Sequence, residues 1–104
     1  MQYQIVLVNL DPAVGREIMK TRPCAILSPD EMNKYLGTII IAPMTSKSRS
    51  YPTRVKIKQN NETGWIVLDQ VRTIDKKRII KVLGTLSTNE IKQTKRVLQE
   101  MLVE

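Results

Sequence analysis

Pro12, Gly15, Pro23, Pro29, Gly37, Pro43, Pro52 and Gly64 punctuate the first eighty residues of this 104-residue chain. Proline lacks an amide N–H and fixes φ, and glycine adds backbone freedom, so long helices do not cross such positions. What lies between them is a set of short β-rich runs. Gln4–Leu10, Cys24–Ser28 and Thr38–Ala42 are three of these. Thr53–Lys58 alternates Val55 and Ile57 with Arg54, Lys56 and Lys58, the pattern of a strand with one wet face. Asn60–Gly64 reads as a hairpin turn, Trp65–Leu68 as the next strand, and Gln70–Ile74 as its continuation after an irregularity. Short strands at this spacing favour a small barrel over a βαβ arrangement.

The tail is different. Ser87 and Glu90 have the spacing of a capping box, in which each side chain satisfies the other's backbone N–H. Ile91, Thr94, Leu98, Met101 and Leu102 then recur at helical spacing with no Gly or Pro between them. These features predict a C-terminal helix of about four turns. Pro29–Asn33 can begin a short second helix. No internal repeat and no low-complexity segment is visible.

The length fits one domain, spanning residues 1–104, with a single core and no need of disulfide staples. Hydrophobic residues make up 41% and charged residues 26%, an ordinary globular balance. A net charge of +7 points to a polyanionic partner, most often nucleic acid, or to a solvated basic surface. The lone cysteine, Cys24, forbids an internal disulfide and fits a reducing cytoplasm. The opening MQYQIVLVNL lacks the features of a signal peptide, and no apolar run is long enough to span a bilayer. With no histidine and one cysteine, a zinc or haem site has almost no ligands to draw on, and no metal or other cofactor is expected.

The same scarcity narrows the chemistry. There is no Cys–His or Ser–His pair, and the glycines are too scattered for a P-loop. RNA cleavage needs neither metal nor histidine, because the ribose 2′-hydroxyl is itself a nucleophile. The protein then orients the backbone, moves two protons and stabilises a charged phosphorane. Arg22, fixed against Pro23, suits the last task with its planar, always-charged fork; an ion pair with Glu17 or Asp30 is the structural alternative. Thr45 offers a hydroxyl to a phosphoryl oxygen or to its own turn. Glu17 can accept a proton or pair with Arg22. Gln70, beside Asp69 and Arg72, can read a base edge or serve as ordinary strand polarity. Lys76, Lys77, Arg78 and Lys81 form a basic cluster, and Trp65 suits a core position better than a base-stacking one.

Taken in order, these motifs resemble the MazF/PemK toxins, the sequence-specific endoribonucleases of bacterial toxin–antitoxin pairs. The resemblance rests on Asp11-Pro12, Gly15, Glu17 and Arg22-Pro23; on Ser28-Pro29-Asp30 and Asn33; on Pro43-Met44-Thr45-Ser46; and on Asp69 through Lys76 with Arg78. It implies a mainly β, SH3-like small barrel of the CcdB/PemK type with a C-terminal α-helix, working as a homodimer. The implied activity is metal-independent cleavage of single-stranded RNA, leaving a 2′,3′-cyclic phosphate and a 5′-hydroxyl. Arg22 and Thr45 match the two catalytic positions, and Glu17 matches a carboxylate also implicated in activity. Gln70, Asp69, Lys20, Ser46, Asn33 and Arg72 would contact RNA, with Gln70 reading a base. A cognate antitoxin would block the groove with an acidic, initially disordered segment, to which a +7 surface is suited.

Two departures stand out. Arg16 replaces a serine common in the family, and Met1-Gln2-Tyr3-Gln4 replaces a Gly-acid opening. Neither touches the catalytic pair, although Arg16 bears on cleavage preference. Two rival functions remain at this point. One is a CcdB-type toxin that poisons gyrase through protein contacts. The other is a non-enzymatic, basic SH3-like module that binds RNA by charge alone.

Overall fold

The computed structural model describes residues 1–59 and 61–103. It contains strands β1 (Gln4–Asn9), β2 (Thr21–Ile26), β3 (Thr38–Thr45), β4 (Arg54–Gln59), β5 (Glu62–Val67), β6 (Arg72–Asp75) and β7 (Ile79–Thr85). Helix α1 (Asp30–Tyr35) precedes β3, and helix α2 (Thr88–Leu102) closes the chain. The strands run β4-β5-β3-β2-β1-β7 across one curled sheet, and β6 also pairs with β3. This is the expected mainly β fold with a C-terminal helix, its sheet curled into a half-barrel compatible with the SH3-like small barrel.

The sheet buries both faces of its middle. On one face Ile5, Ala25, Ala42, Met44, Val55, Ile57 and Ile66 form a core with Val97 of α2. On the other, Val6, Val8, Cys24, Ile26, Ile39, Ile41 and Ile74 pack together. Successive residues of a strand face opposite ways. A strand covered on both faces therefore reads as a continuous apolar run, as Cys24-Ala25-Ile26 does. Strand β4 is covered on one face only, and Val55 and Ile57 alternate with exposed Lys56 and Lys58 as its sequence predicts.

Several boundaries move for identifiable reasons. Strand β2 begins at Thr21 rather than Cys24, because β1 pairs with it through Leu7↔Pro23, Val8↔Arg22 and Asn9↔Thr21. Strand β3 continues past Ala42 through Pro43 to Thr45. Its pairing with β6 ends at Ile41 and its pairing with β5 begins at Met44. Pro43 falls between these two ladders, a position that tolerates a missing N–H. The β4–β5 pairing runs to Gln59↔Glu62, so Glu62–Gly64 belong to the strand. Of the expected turn, Asn60 lies outside the described residues, and Asn61 takes φ +65°, which asparagine tolerates well. Strand β7 was not foreseen. Ile80, Val82 and Leu83 are exposed, so it carries no alternating signature.

Asn33 corrects a site expectation. It is 1% exposed. Its Nδ2 donates to the Ser28 carbonyl at 2.8 Å, and its Oδ1 accepts from the Ser28 hydroxyl, which also accepts from the Ile40 amide. Those bonds pin α1 to the start of β3, and burial keeps the Asn33 amide away from a surface ligand.

Helix α2 begins with the predicted reciprocal cap. Glu90 N donates to Ser87 Oγ at 3.1 Å and Ser87 N donates to Glu90 Oε1 at 2.8 Å. The second oxygen of Glu90 accepts from Lys58 N of β4 at 3.1 Å. Thr94 and Val97 are buried, with Ile91, Leu98 and Met101 beside them, whereas Leu102 is exposed. Among the described residues, no helix is long and apolar enough to cross a membrane.

Ser87→Ala should lower unfolding free energy by about 1 kcal/mol. Glu90→Ala should cost more, because it also frees the Lys58 amide; urea denaturation of both variants checks the order. Burial pushes the Cys24 thiol up to about 12, against the pull of the nearby Arg72 charge. Iodoacetamide at pH 8 should therefore leave the folded protein unlabelled and modify Cys24 once urea unfolds it, read by intact mass.

Candidate active site

Strands β2 and β3 pair as Ile26↔Ile41, Ala25↔Ala42 and Cys24↔Pro43. Extending that register by two residues sets Arg22 opposite Thr45. Both line one pocket of about 210 Å³, whose walls include Pro23, Met44, Ser46, Ile57, Gln59 and Glu62. The two ion pairs among the described residues are Met1 N with Asp30 and Arg54 with Asp69. Arg22 is in neither. Among the described residues its side chain makes one hydrogen bond, a long one, from Nε to the Met19 carbonyl at 3.4 Å. The anticipated pairing of Arg22 with Glu17 or Asp30 is thus not made, and the fork stands ready for an external anion.

Thr45 ends β3 in a turn. Its hydroxyl accepts from Lys47 N at 3.2 Å and reaches the Lys47 carbonyl at 3.4 Å. The turn role anticipated for Thr45 is real, and it coexists with exposure to the pocket. Ser46 follows on the same wall.

Glu17 belongs to a second pocket of about 230 Å³, lined by Ile18, Pro43, Asp69, Gln70, Val71 and Arg72. Strand β3 borders both pockets, through Pro43 here and through Met44 and Thr45 in the first. Glu17 Oε1 accepts from Val14 N at 2.6 Å, which holds the carboxylate against its own loop. Lys20 closes that loop with φ +69°, and its amide donates to Asp11 Oδ1 at 2.8 Å. Its exposed side chain lines neither pocket.

Asp69, Gln70 and Arg72 are all in place at the second pocket, but each already has protein partners. Asp69 accepts from Arg54 Nε at 3.2 Å and from Thr53 Oγ1 at 3.0 Å. Partial burial raises its carboxyl, and the hydrogen bonds from Arg54 and Thr53 outweigh that effect and hold it below the ordinary aspartate range. Gln70 binds the backbone of the loop before β2 at Arg16 and Ile18. Arg72 donates to the Leu10 carbonyl at 3.4 Å. Arg54, Gln59 and Glu62 escaped the sequence reading. All three lie on β4 or β5, where strand alternation accounts for polar residues without any functional signal. Among the described residues, no three His, Cys, Asp or Glu side chains gather to hold a metal ion.

Residues 1–102 match the family described as PemK-like, MazF-like toxin of type II toxin–antitoxin systems. The chain is 34% identical over 95 residues to a protein named Endoribonuclease MazF from Staphylococcus saprophyticus, covering 86% of this chain and 79% of that one. It superposes on a crystal structure of MazF from Deinococcus radiodurans with a TM-score of 0.86 and 25% identity, over 98% of this chain and 94% of that one. A mycobacterial endoribonuclease in complex with its cognate antitoxin shares the fold at a TM-score of 0.83 and 19% identity, over 98% and 93% of the two chains. With the family match running almost end to end, the chain belongs to the PemK-like, MazF-like toxins of type II toxin–antitoxin systems.

Proposed function

We propose that this protein is an endoribonuclease toxin that cuts single-stranded RNA at a short sequence without a metal ion and is neutralised by a cognate antitoxin. The observation that carries the reading is a guanidinium, Arg22, with no carboxylate partner among the described residues, sharing a pocket with the Thr45 hydroxyl. A free arginine fork beside a hydroxyl matches the three oxygens of a phosphoryl group. The relative from S. saprophyticus bears the name endoribonuclease, and the mycobacterial neighbour is complexed with an antitoxin.

In the proposed reaction the ribose 2′-oxygen attacks phosphorus and the P–O5′ bond breaks. A base takes the 2′-hydroxyl proton, and an acid protonates the departing 5′-oxygen. The products are a 2′,3′-cyclic phosphate and a 5′-hydroxyl. A guanidinium does not readily give up its proton, so Arg22 serves as stabiliser of the phosphorane charge rather than as base. Thr45 donates its hydroxyl to the same oxygens. Glu17 is the proposed base. It lines the second pocket, so the attacking 2′-hydroxyl would have to lie over β3 near Pro43, where the two pockets adjoin, to be reached by Glu17 while its phosphate meets Arg22 and Thr45. Lys20, Ser46 and Arg72 remain proposed RNA contacts, while Asp69 and Gln70 stand beside the substrate path. A second copy of the chain, giving the homodimer, would cover Ile80, Val82 and Leu83 of the outermost strand β7.

The test is incubation of the purified protein with a long single-stranded RNA in EDTA, with the new ends mapped. Discrete cuts at a repeated sequence with cyclic-phosphate ends are expected. RNA that is bound but intact would defeat the reading. Arg22→Ala should slow cutting by about 10²- to 10³-fold with an unchanged circular dichroism spectrum. Glu17→Gln should lower kcat by about 10²-fold or more; unchanged turnover would remove Glu17 as the base.

A further inference from the structure

Asp69 and Gln70 are neighbours on one short 3₁₀ turn, Leu68–Gln70, between β5 and β6. Each reaches a different loop. Gln70 Oε1 accepts from Ile18 N at 2.7 Å, and its Nε2 donates to the Arg16 carbonyl at 3.3 Å, across more than fifty residues of sequence. The amide thus spends its acceptor and one donor on the loop that carries Glu17 and leads into Arg22. The foot of that loop is held separately: Arg72 donates to the Leu10 carbonyl, and Arg78 Nη1 to the Asp11 carbonyl at 2.7 Å. Gln70 is therefore the latch at the loop's far side.

Asp69 does the corresponding work on the segment that follows Thr45. Its two oxygens take Arg54 Nε at 3.2 Å and Nη2 at 3.4 Å. The same guanidinium donates to Ser48 Oγ at 2.7 Å and lies 4.8 Å from the centre of the Tyr51 ring. Asp69 thereby fixes Arg54, and Arg54 gathers the segment 46–53.

We propose that Asp69 and Gln70 are positioning residues, which set the two loops flanking the pockets from one shared turn, rather than groups that read an RNA base. The inference rests on the nuclease reading above for its kinetic consequence, but its structural part concerns the free protein. A base edge read by Gln70 through donor and acceptor together would have to compete with the Ile18 bond, because only the second amide N–H is left unspent. Holding a loop in register is worth much in phosphoryl transfer, where a small misplacement of a reacting group costs rate.

The experiment uses Gln70→Leu, Gln70→Glu and Asp69→Asn in the full chain, with peptide-level hydrogen exchange and single-substrate kinetics. Gln70→Leu should speed exchange in the segment 14–20 by about tenfold or more while 46–53 stays as it was. Asp69→Asn should do the reverse. On RNA, Gln70→Leu should lower kcat by about tenfold or more with KM within a few-fold and the cut sequence unchanged. Gln70→Glu keeps the acceptor for Ile18 N and should restore most of both losses. Unchanged exchange at 14–20 in Gln70→Leu, or a new cut sequence with loop exchange unaltered, would overturn the proposal and leave Gln70 as a base reader. Should the wild-type protein cut no RNA, the nuclease reading fails while the exchange measurements still decide the latch.

Discussion

Strand β3 is the constraint on which the rest of the molecule depends. Its eight residues pair with β6 from Thr38 to Ile41, with β2 from Ile41 to Pro43, and with β5 at Met44 and Thr45. The strand therefore changes partner along its length, and Pro43 sits at the change. Losing the N–H of a central strand residue normally breaks a ladder. Here the gap between β6 and β5 absorbs the loss. The bend of the sheet, the meeting of the two cores and the placing of Thr45 across from Arg22 all follow from that handover.

Placing the candidate site groups at the ends of strands rather than on free loops gives them fixed backbones. Arg22 is tied to Val8 on one side, and Thr45 to Trp65 on the other. The groups that depend on loops, Glu17 above all, need further anchoring, and the side chains of the 69–78 segment supply it through backbone carbonyls and amides. The basic residues of this stretch thus have an internal use as well as a surface charge. Arginine suits such work because several of its fixed donors can meet carbonyl oxygens at once.

Much of this was legible in the sequence. The alternation in β4, the apolar runs of β2 and β3 and the Ser87–Glu90 cap are local patterns, and local patterns survive into the fold. Arg22 and Thr45 were legible as candidates because their neighbours Pro23 and Pro43 place them at definite points of strands. Asn33 was misplaced because a buried asparagine satisfied by Ser28 and an exposed one reading RNA look alike in one dimension. The partners of Asp69 and Gln70 lie fifteen or more residues away, and no periodicity announces a contact of that range. Strand β7 went unseen because Ile80, Val82 and Leu83 are all exposed, so the contrast between inner and outer positions that marks a strand is absent.

The second oxygen of Glu90 has a consequence beyond helix capping. Strand β4 is the outermost strand at one end of the sheet, and Lys58 N is an amide that β5 does not use. Amides of that kind are templates on which a foreign strand can add, the first step towards a shared sheet or an aggregate. Here the chain's own helix supplies the acceptor, and the charged Lys56 and Lys58 side chains stand alongside. A residue that starts a helix thus also guards the barrel's flank against growth.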